Sequence, residues 1–183
     1  MDNLKQLIEC NCIVVVDLET TGLDRNTDFI IEVGAVKIDK GEINEKYYSL
    51  VNNPQMQSLP EEIERLTGIT FEQLKTAPFV GEVLKGLFEF SRSCIIVAHN
   101  IPFDFAFLRN WGFWYGVPFD EFKDKVIDTV ALAKQVLGDK VKNYKLSTLA
   151  DYFNIEFNHH RALDDAEATA KILIELSKYK TVG

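Results

Sequence analysis

The stretch Val14-Val15-Val16-Asp17-Leu18-Glu19-Thr20-Thr21-Gly22 constrains this chain more than any other. Its β-branched apolar opening reads as a buried strand. Side chains alternate along a strand, so Val14, Val16 and Leu18 share one face, and Asp17 and Glu19 share the other. Two carboxylates this close at the end of a buried strand repel each other and resist desolvation. A divalent cation is the simplest compensation, since hard oxygen ligands suit Mg²⁺ or Mn²⁺. Thr20-Thr21-Gly22 then turns the chain with small residues that let backbone N–H groups approach a ligand. A solvated edge strand ending in a turn is the alternative reading of the same residues.

The rest of the pattern predicts a β-meander followed by alternating helices and strands. A short helix is expected over 2–9, strands over 29–38 and 46–51, and a turn at Asp39-Lys40-Gly41-Glu42. Gly34 marks a bulge or a close approach of backbone. Ser58-Leu59-Pro60-Glu61-Glu62 has the pattern of a capping box opening a helix. Thr70 to Lys75 suits another helical turn, and Val80, Val83, Leu84, Leu87, Phe88 and Phe90 give a helical apolar stripe with two extra positions. Cys94 to Ala98 reads as a buried strand, parallel to the first. Helices are expected over 103–114, 129–137, 147–153 and 162–178, with a short strand over 126–128. This order makes a mixed α/β sheet covered by helices, and the whole chain, 1–183, reads as a single domain.

Composition narrows the function. A formal net charge of −8 argues against a broad basic groove for long duplex DNA. It does not argue against nucleic acid as such, because ions held in an acidic site attract phosphate. No apolar run approaches membrane-spanning length, and the N-terminus lacks a signal-peptide core, so a cytoplasmic protein is the expectation. Three cysteines are too few for a disulfide framework or a four-cysteine zinc site. Cys94 reads as a small core residue, and Cys10-x-Cys12 as structural or redox-active.

Two further segments carry carboxylates. His99-Asn100-Ile101-Pro102-Phe103-Asp104 leaves the predicted buried strand, at the strand end where α/β proteins place ligands. Asp104 there also suits a simple helix-dipole role, and His99 a satisfied core histidine. In His159-His160-Arg161-Ala162-Leu163-Asp164-Asp165 the helical phase separates the two acids. Asp165 shares its stripe with Thr169, Ile172 and Leu176, which should face the core. Asp164 shares its stripe with Ala168, Lys171 and Glu175, which should face water. Asp165 is therefore the inward acid, and His160, five residues before it, its partner. A helix-border acid paired with a cation is the alternative for Asp165.

Taken together, VDLETTG, AHNxxFDxxFL and HRALxDAEATA resemble, in order and spacing, the three motifs of the DEDDh (DnaQ-like) 3′→5′ exonucleases. The resemblance runs from about Ile13 to Ile174. The segment Glu64-Arg65-Leu66-Thr67-Gly68-Ile69 and the pair His159-His160 are most similar to the proofreading domain of PolC-type bacterial DNA polymerase III. The resemblance implies an RNase H-like fold, a five-stranded mixed sheet with helices on both faces. It implies two divalent cations (Mg²⁺ or Mn²⁺) held by Asp17, Glu19, Asp104 and Asp165, with His160 as general base. It also places the terminal nucleotide against Leu18, Thr20, Thr21, Gly22, Leu23, Glu62, Thr67, His99 and Phe103. The implied substrate is a single-stranded or frayed 3′ end of DNA, and the implied partner is the polymerase portion of a replicative DNA polymerase III. The implied role is proofreading in replication. RNA trimming on the same scaffold, or a non-catalytic binding module, are the alternatives.

Overall fold

A computed structural model describes residues 3–179. Five strands, β1 (Ile13–Thr20), β2 (Ile30–Asp39), β3 (Glu42–Leu50), β4 (Ile95–Ala98) and β5 (Val126–Asp128), form one sheet in the order β3-β2-β1-β4-β5. The first three are antiparallel neighbours, whereas β4 runs parallel to β1 and β5 parallel to β4. The helices are α1 (Asn3–Cys10), α2 (Glu61–Thr67), α3 (Phe71–Lys75), α4 (Val80–Phe90), α5 (Ile101–Tyr115), α6 (Thr129–Leu137), α7 (Leu146–Phe153) and α8 (Ala162–Ser177). This is the expected mixed sheet. Residue 2, expected in the first helix, lies outside the described residues.

The alternation in β1 divides the core into two layers. Val14, Val16 and Leu18 pack with Leu84, Leu87, Phe107 and Leu108 of α4 and α5. Ile13 and Val15 pack on the other side with Val36, Val97 and the α8 residues Ala170 and Leu173. Asp17 and Glu19 continue the α8 side toward the end of the strand. Opposite them across the antiparallel ladder stand Gly34 and Glu32.

Several boundaries differ from the sequence pattern, each for a local reason. β3 begins at Glu42 rather than at 46, because Lys40 and Gly41 have φ of 54° and 81° and close a two-residue hairpin that pairs Asp39 with Glu42 at once. The capping box expected at Ser58 does not form. Pro60 itself stands at the cap of α2, and the residue before a proline is held extended, so the helix cannot start earlier. A capping box occurs instead at Thr70, whose hydroxyl accepts from the Gln73 N–H while the Gln73 side chain accepts from the Thr70 N–H. Cys94 is a buried core residue, but it is disulfide-bonded to Cys12. The parallel pairing of Ile13 with Ile95 sets the two preceding residues side by side, with Cα atoms 4.6 Å apart. Cys10 is exposed and free.

On α8 the expected phase places Asp165, Thr169, Ile172 and Leu176 inside. Ala168 is also buried, although its stripe was expected to face water; Asp164, Lys171 and Glu175 of that stripe remain half-exposed. The helix packs across β1, β2 and β3, so it buries more than one row of side chains. Gly34 permits this packing. A Cβ there would sit 2.2 Å from the Ala162 carbonyl carbon and the Leu163 nitrogen. Gly34→Ala should therefore destabilise the fold by about 1–3 kcal/mol, the usual cost of overpacking. Urea denaturation, with the exposed Cys10→Ser as reference, measures this. A Gly34→Ala protein as stable as the parent would contradict the close seating of α8 on β2.

Candidate active site and metal centre

Four carboxylates converge where β1 ends. Asp17 and Glu19 are half-buried on the α8 face. Asp165, on the first turn of α8, is buried, and its charge acts on both Asp17 and Glu19. Asp104 enters from the first turn of α5. Its Oδ1 accepts the Leu18 N–H at 3.1 Å, so the carboxylate is tied to β1 as well as sited at a helix N-terminus.

Burial and mutual repulsion hold these groups toward their protonated forms. Asp17 is pushed well above the usual carboxylate range by burial first, then by Asp104, Asp165 and Glu19. Burial and then Asp165 raise Glu19 to about 7. Burial raises Asp104 to about 8, against the hydrogen bonds it accepts from the main chain. Asp165 rises to about 7, again mainly by burial, despite a hydrogen bond from the His160 N–H.

The residues suit a cation. Glu19, His160 and Asp165 each offer a ligand atom within 4.8 Å of the others. Oδ1 of Asp165 is buried with no hydrogen-bond partner. A positive ion would satisfy that oxygen and relieve the repulsion in one step.

His160 is exposed and has a left-handed backbone, φ 63°. Its N–H donates to Oδ2 of Asp165 at 3.2 Å. The next residue explains how this conformation is held. Arg161 donates from Nε and Nη2 to Oε1 of Glu32, at 3.0 and 2.8 Å. Glu32 is fully buried; its Oε1 also accepts the Tyr48 hydroxyl at 2.9 Å, and its Oε2 the Ala162 N–H at 2.7 Å. Glu32 thus caps α8 and anchors the His160 turn. Sequence reasoning passed over it as one polar residue in a strand. A charged residue within Ile30-Ile31-Glu32-Val33 was the available signal, but not its partner 129 residues away. His159 rests against Phe157, ring centroids 4.0 Å apart, and Asp164 accepts from Asn158.

The predicted nucleotide-pocket residues fall into distinct groups. Thr21 accepts the Phe29 N–H and donates to Asp28, Thr20 donates to the Gly22 carbonyl, and Leu23 projects into solvent at 85% exposure. This turn borders the carboxylates. Phe103 is half-buried on α5, its ring 5.0 Å from that of Phe107. Leu18 points into the core, so only its main chain borders the site. Thr67 is buried, and its hydroxyl serves the end of α2, donating to Ile63 O and accepting from the Ile69 N–H. Glu62 is exposed on the first turn of α2. His99 is half-buried, with Nδ1 2.9 Å from the Thr129 hydroxyl, and burial lowers its pKa.

The RNase T family model, described as an exonuclease, matches residues 14–173. The chain is 41% identical over 172 residues to the PolC-type DNA polymerase III of Caldanaerobacter subterraneus, covering 93% of this chain and 12% of that protein. It is equally similar, 41% over 174 residues, to the PolC-type enzyme of Bacillus subtilis, covering 94% of this chain and again 12% of the relative. The chain thus spans only a small part of these curated relatives. In fold it is similar to E. coli Exonuclease I in complex with a dT13 oligonucleotide, with a TM-score of 0.81 at 16% identity over 92% of this chain and 41% of that one. It is also similar to Exonuclease I from Methylocaldum szegediense, TM-score 0.78 at 17% identity, over 91% of this chain and 40% of that one.

The raised carboxylates set a pH dependence of stability. Without metal, the folded state keeps protons that the unfolded chain has released between about pH 4 and pH 8. Stability should therefore fall as pH rises through that window. The melting temperature in chelator should drop by several degrees between about pH 5 and pH 8, and Mn²⁺ should restore it more at the higher pH. Asp165→Asn should raise the high-pH melting temperature in chelator and blunt the response to Mn²⁺. A melting temperature that stays flat or rises with pH in chelator would contradict the clustering.

Proposed function

Because the chain belongs to this exonuclease family, we propose that it is a divalent-metal-dependent 3′→5′ exonuclease. It hydrolyses the 3′-terminal phosphodiester of single-stranded or frayed DNA and releases nucleoside 5′-monophosphates. The observation that carries the reading is the convergence of Asp17, Glu19, Asp104 and Asp165 on one strand end, with an unpartnered buried oxygen on Asp165 and the His160 imidazole beside it.

Asp17, Glu19 and Asp165 would hold one divalent cation, and Asp17 with Asp104 a second. Bound there, the ions supply charge stabilisation to the attacking and leaving oxygens of an in-line displacement. Neutral His160, on its exposed turn, takes the proton of the attacking water; an imidazole suits this because its unperturbed pKa lies near operating pH. The Thr20–Leu23 turn and Phe103 receive the terminal nucleotide, with Leu23 free to press against a base. A terminal nucleotide must part from its complement to reach this site, which favours frayed ends. The likeness to PolC-type polymerases supports a proofreading role in the cytoplasm beside a replicative polymerase III.

The test is digestion of oligodeoxynucleotides labelled at either end, with Mg²⁺ or Mn²⁺, and of the matching oligoribonucleotides. Stepwise loss from the 3′ end, abolished by chelator and faster at a mismatched terminus than at a paired one, is the expected outcome. Full hydrolysis in excess chelator would sink the metal-dependent reading.

Side-chain roles separate further. Asp17→Ala and Asp165→Ala should abolish turnover, while Asp164→Ala, on the half-exposed stripe, should leave it nearly unchanged. His160→Ala should slow single-turnover hydrolysis by about 10²–10⁴-fold while metal affinity, measured alongside, is kept. His159→Ala should lose far less. If His160→Ala lost metal binding rather than rate, the imidazole would be a ligand and not the base.

A further inference from the structure

Carboxylate neighbours occupy Lys5, Lys37, Lys46, Lys75, Lys171 and Lys178. Between 134 and 145 the chain carries Lys134, Lys140, Lys142 and Lys145 against one acid, Asp139. Among the described residues, none of these four has a carboxylate within ion-pair distance. In a chain of net charge −8, this is a local reversal of sign.

Two of these lysines line an open groove of about 470 Å³, formed by His99, Val130, Lys134, Tyr144, Lys145 and Leu146. Hydrogen bonds tie its wall together. Oδ1 of Asn143 accepts the Lys145 N–H at 3.0 Å and the Thr148 hydroxyl at 2.7 Å. The Tyr144 hydroxyl donates to the Gly138 carbonyl at 2.7 Å, and Nζ of Lys134 lies 5.8 Å from the centre of the Tyr144 ring.

The sheet places this groove next to the carboxylates. β4 pairs with β1 as Val14 with Ile96 and Val15 with Val97, so continuing the register sets His99 level with Asp17. Val97 and Val15 share the α8 side, and alternation puts His99 and Asp17 on that side too. The Thr20–Leu23 turn leaves β1 in the other direction, toward β2. The carboxylates therefore lie between the turn and the groove.

We propose that this groove holds the sugar-phosphate backbone of a single DNA strand on the 5′ side of the scissile bond, with Lys134 and Lys145 on phosphates and Tyr144 beside a base. This rests on the exonuclease reading. The cations supply charge complementarity to a polyanion, and an aromatic face accepts any base, so contact here is independent of sequence.

The test uses the double variant Lys134→Gln/Lys145→Gln and two substrates. One is a fluorescent deoxythymidine dodecamer; the other is the p-nitrophenyl ester of thymidine 5′-monophosphate, which has no upstream nucleotide. Binding of the dodecamer is read by anisotropy with Ca²⁺ in place of Mg²⁺, across a range of salt. Losing two phosphate contacts should lower the slope of log affinity against log salt by ~1.4, or roughly 25-fold weaker binding at about 0.1 M salt. The KM for the dodecamer should rise in step, with kcat and ester hydrolysis unchanged. A second double variant, Lys123→Gln/Lys125→Gln at the opposite end of β5, should behave like the parent. Parental affinity and slope in the first variant would overturn the groove, as would an equal loss on the ester, which would place the lysines at the reacting centre. A parent protein that hydrolyses neither substrate would instead remove the exonuclease reading, and the groove with it.

Discussion

The site depends on one buried carboxylate that carries no chemistry of its own. Glu32 accepts from Arg161, Tyr48 and the first N–H of α8, and it is completely shielded from water. A buried charge is costly unless its oxygens are filled, and here both are. The consequence is geometric. α8 is pinned by its first residue to β2, directly across the ladder from Glu19. Asp165 is thereby set beside Asp17 and Glu19, and the His160 turn is held in its left-handed conformation. Gly34, two residues along β2, removes the side chain that would keep the helix away. Removing Arg161 would leave Glu32 with an uncompensated charge, so the loss would fall on fold and site together.

The four clustered carboxylates, Asp17, Glu19, Asp104 and Asp165, are placed on the opposite principle. They are gathered without enough donors; burial with mutual repulsion raises Glu19, Asp104 and Asp165 to about 7 to 8 and pushes Asp17 well above the usual carboxylate range. Such an arrangement opposes folding at neutral pH, and the orphaned Oδ1 of Asp165 adds to the cost. Local destabilisation of this kind concentrates at functional sites, where the missing partner is a ligand. The scaffold absorbs it with two layers of buried aliphatic and aromatic packing on either side of β1. The same alternation that builds those layers delivers Asp17 and Glu19 to one face.

Periodicity and turn chemistry are local, and what they govern was legible in the chain. Alternation along 14–19 put the first two acids on one face, and helical phase along 162–176 chose Asp165 over Asp164. The order of strands and helices followed from runs of apolar residues and from the Lys40-Gly41 turn. Where local rules compete, the pattern was less decisive: proline moved the start of α2, and the two-residue hairpin lengthened β3. Ala168 was read as exposed because a single stripe was assumed, and the broad contact of α8 with three strands buries it.

What only the tertiary structure decided are pairings between distant segments. Nothing in the spacing of residues 32 and 161 announces that a glutamate in one strand caps a helix 130 residues later. Asp104 alone reads as a helix-dipole acid, and its bond to Leu18 N exists because α5 packs against β1. Cys12 and Cys94 become neighbours only through the parallel register of β1 and β4. Thr67 keeps its hydroxyl for its own helix end, which no motif reveals. The amino-acid sequence by itself determined the repeat of each element, and with it the inward turn of Asp17, Glu19 and Asp165, since hydrophobic burial follows that repeat. Which of those groups would meet was left to the packing of elements far apart in the chain, since contact there is set by sheet register and helix seating rather than by spacing.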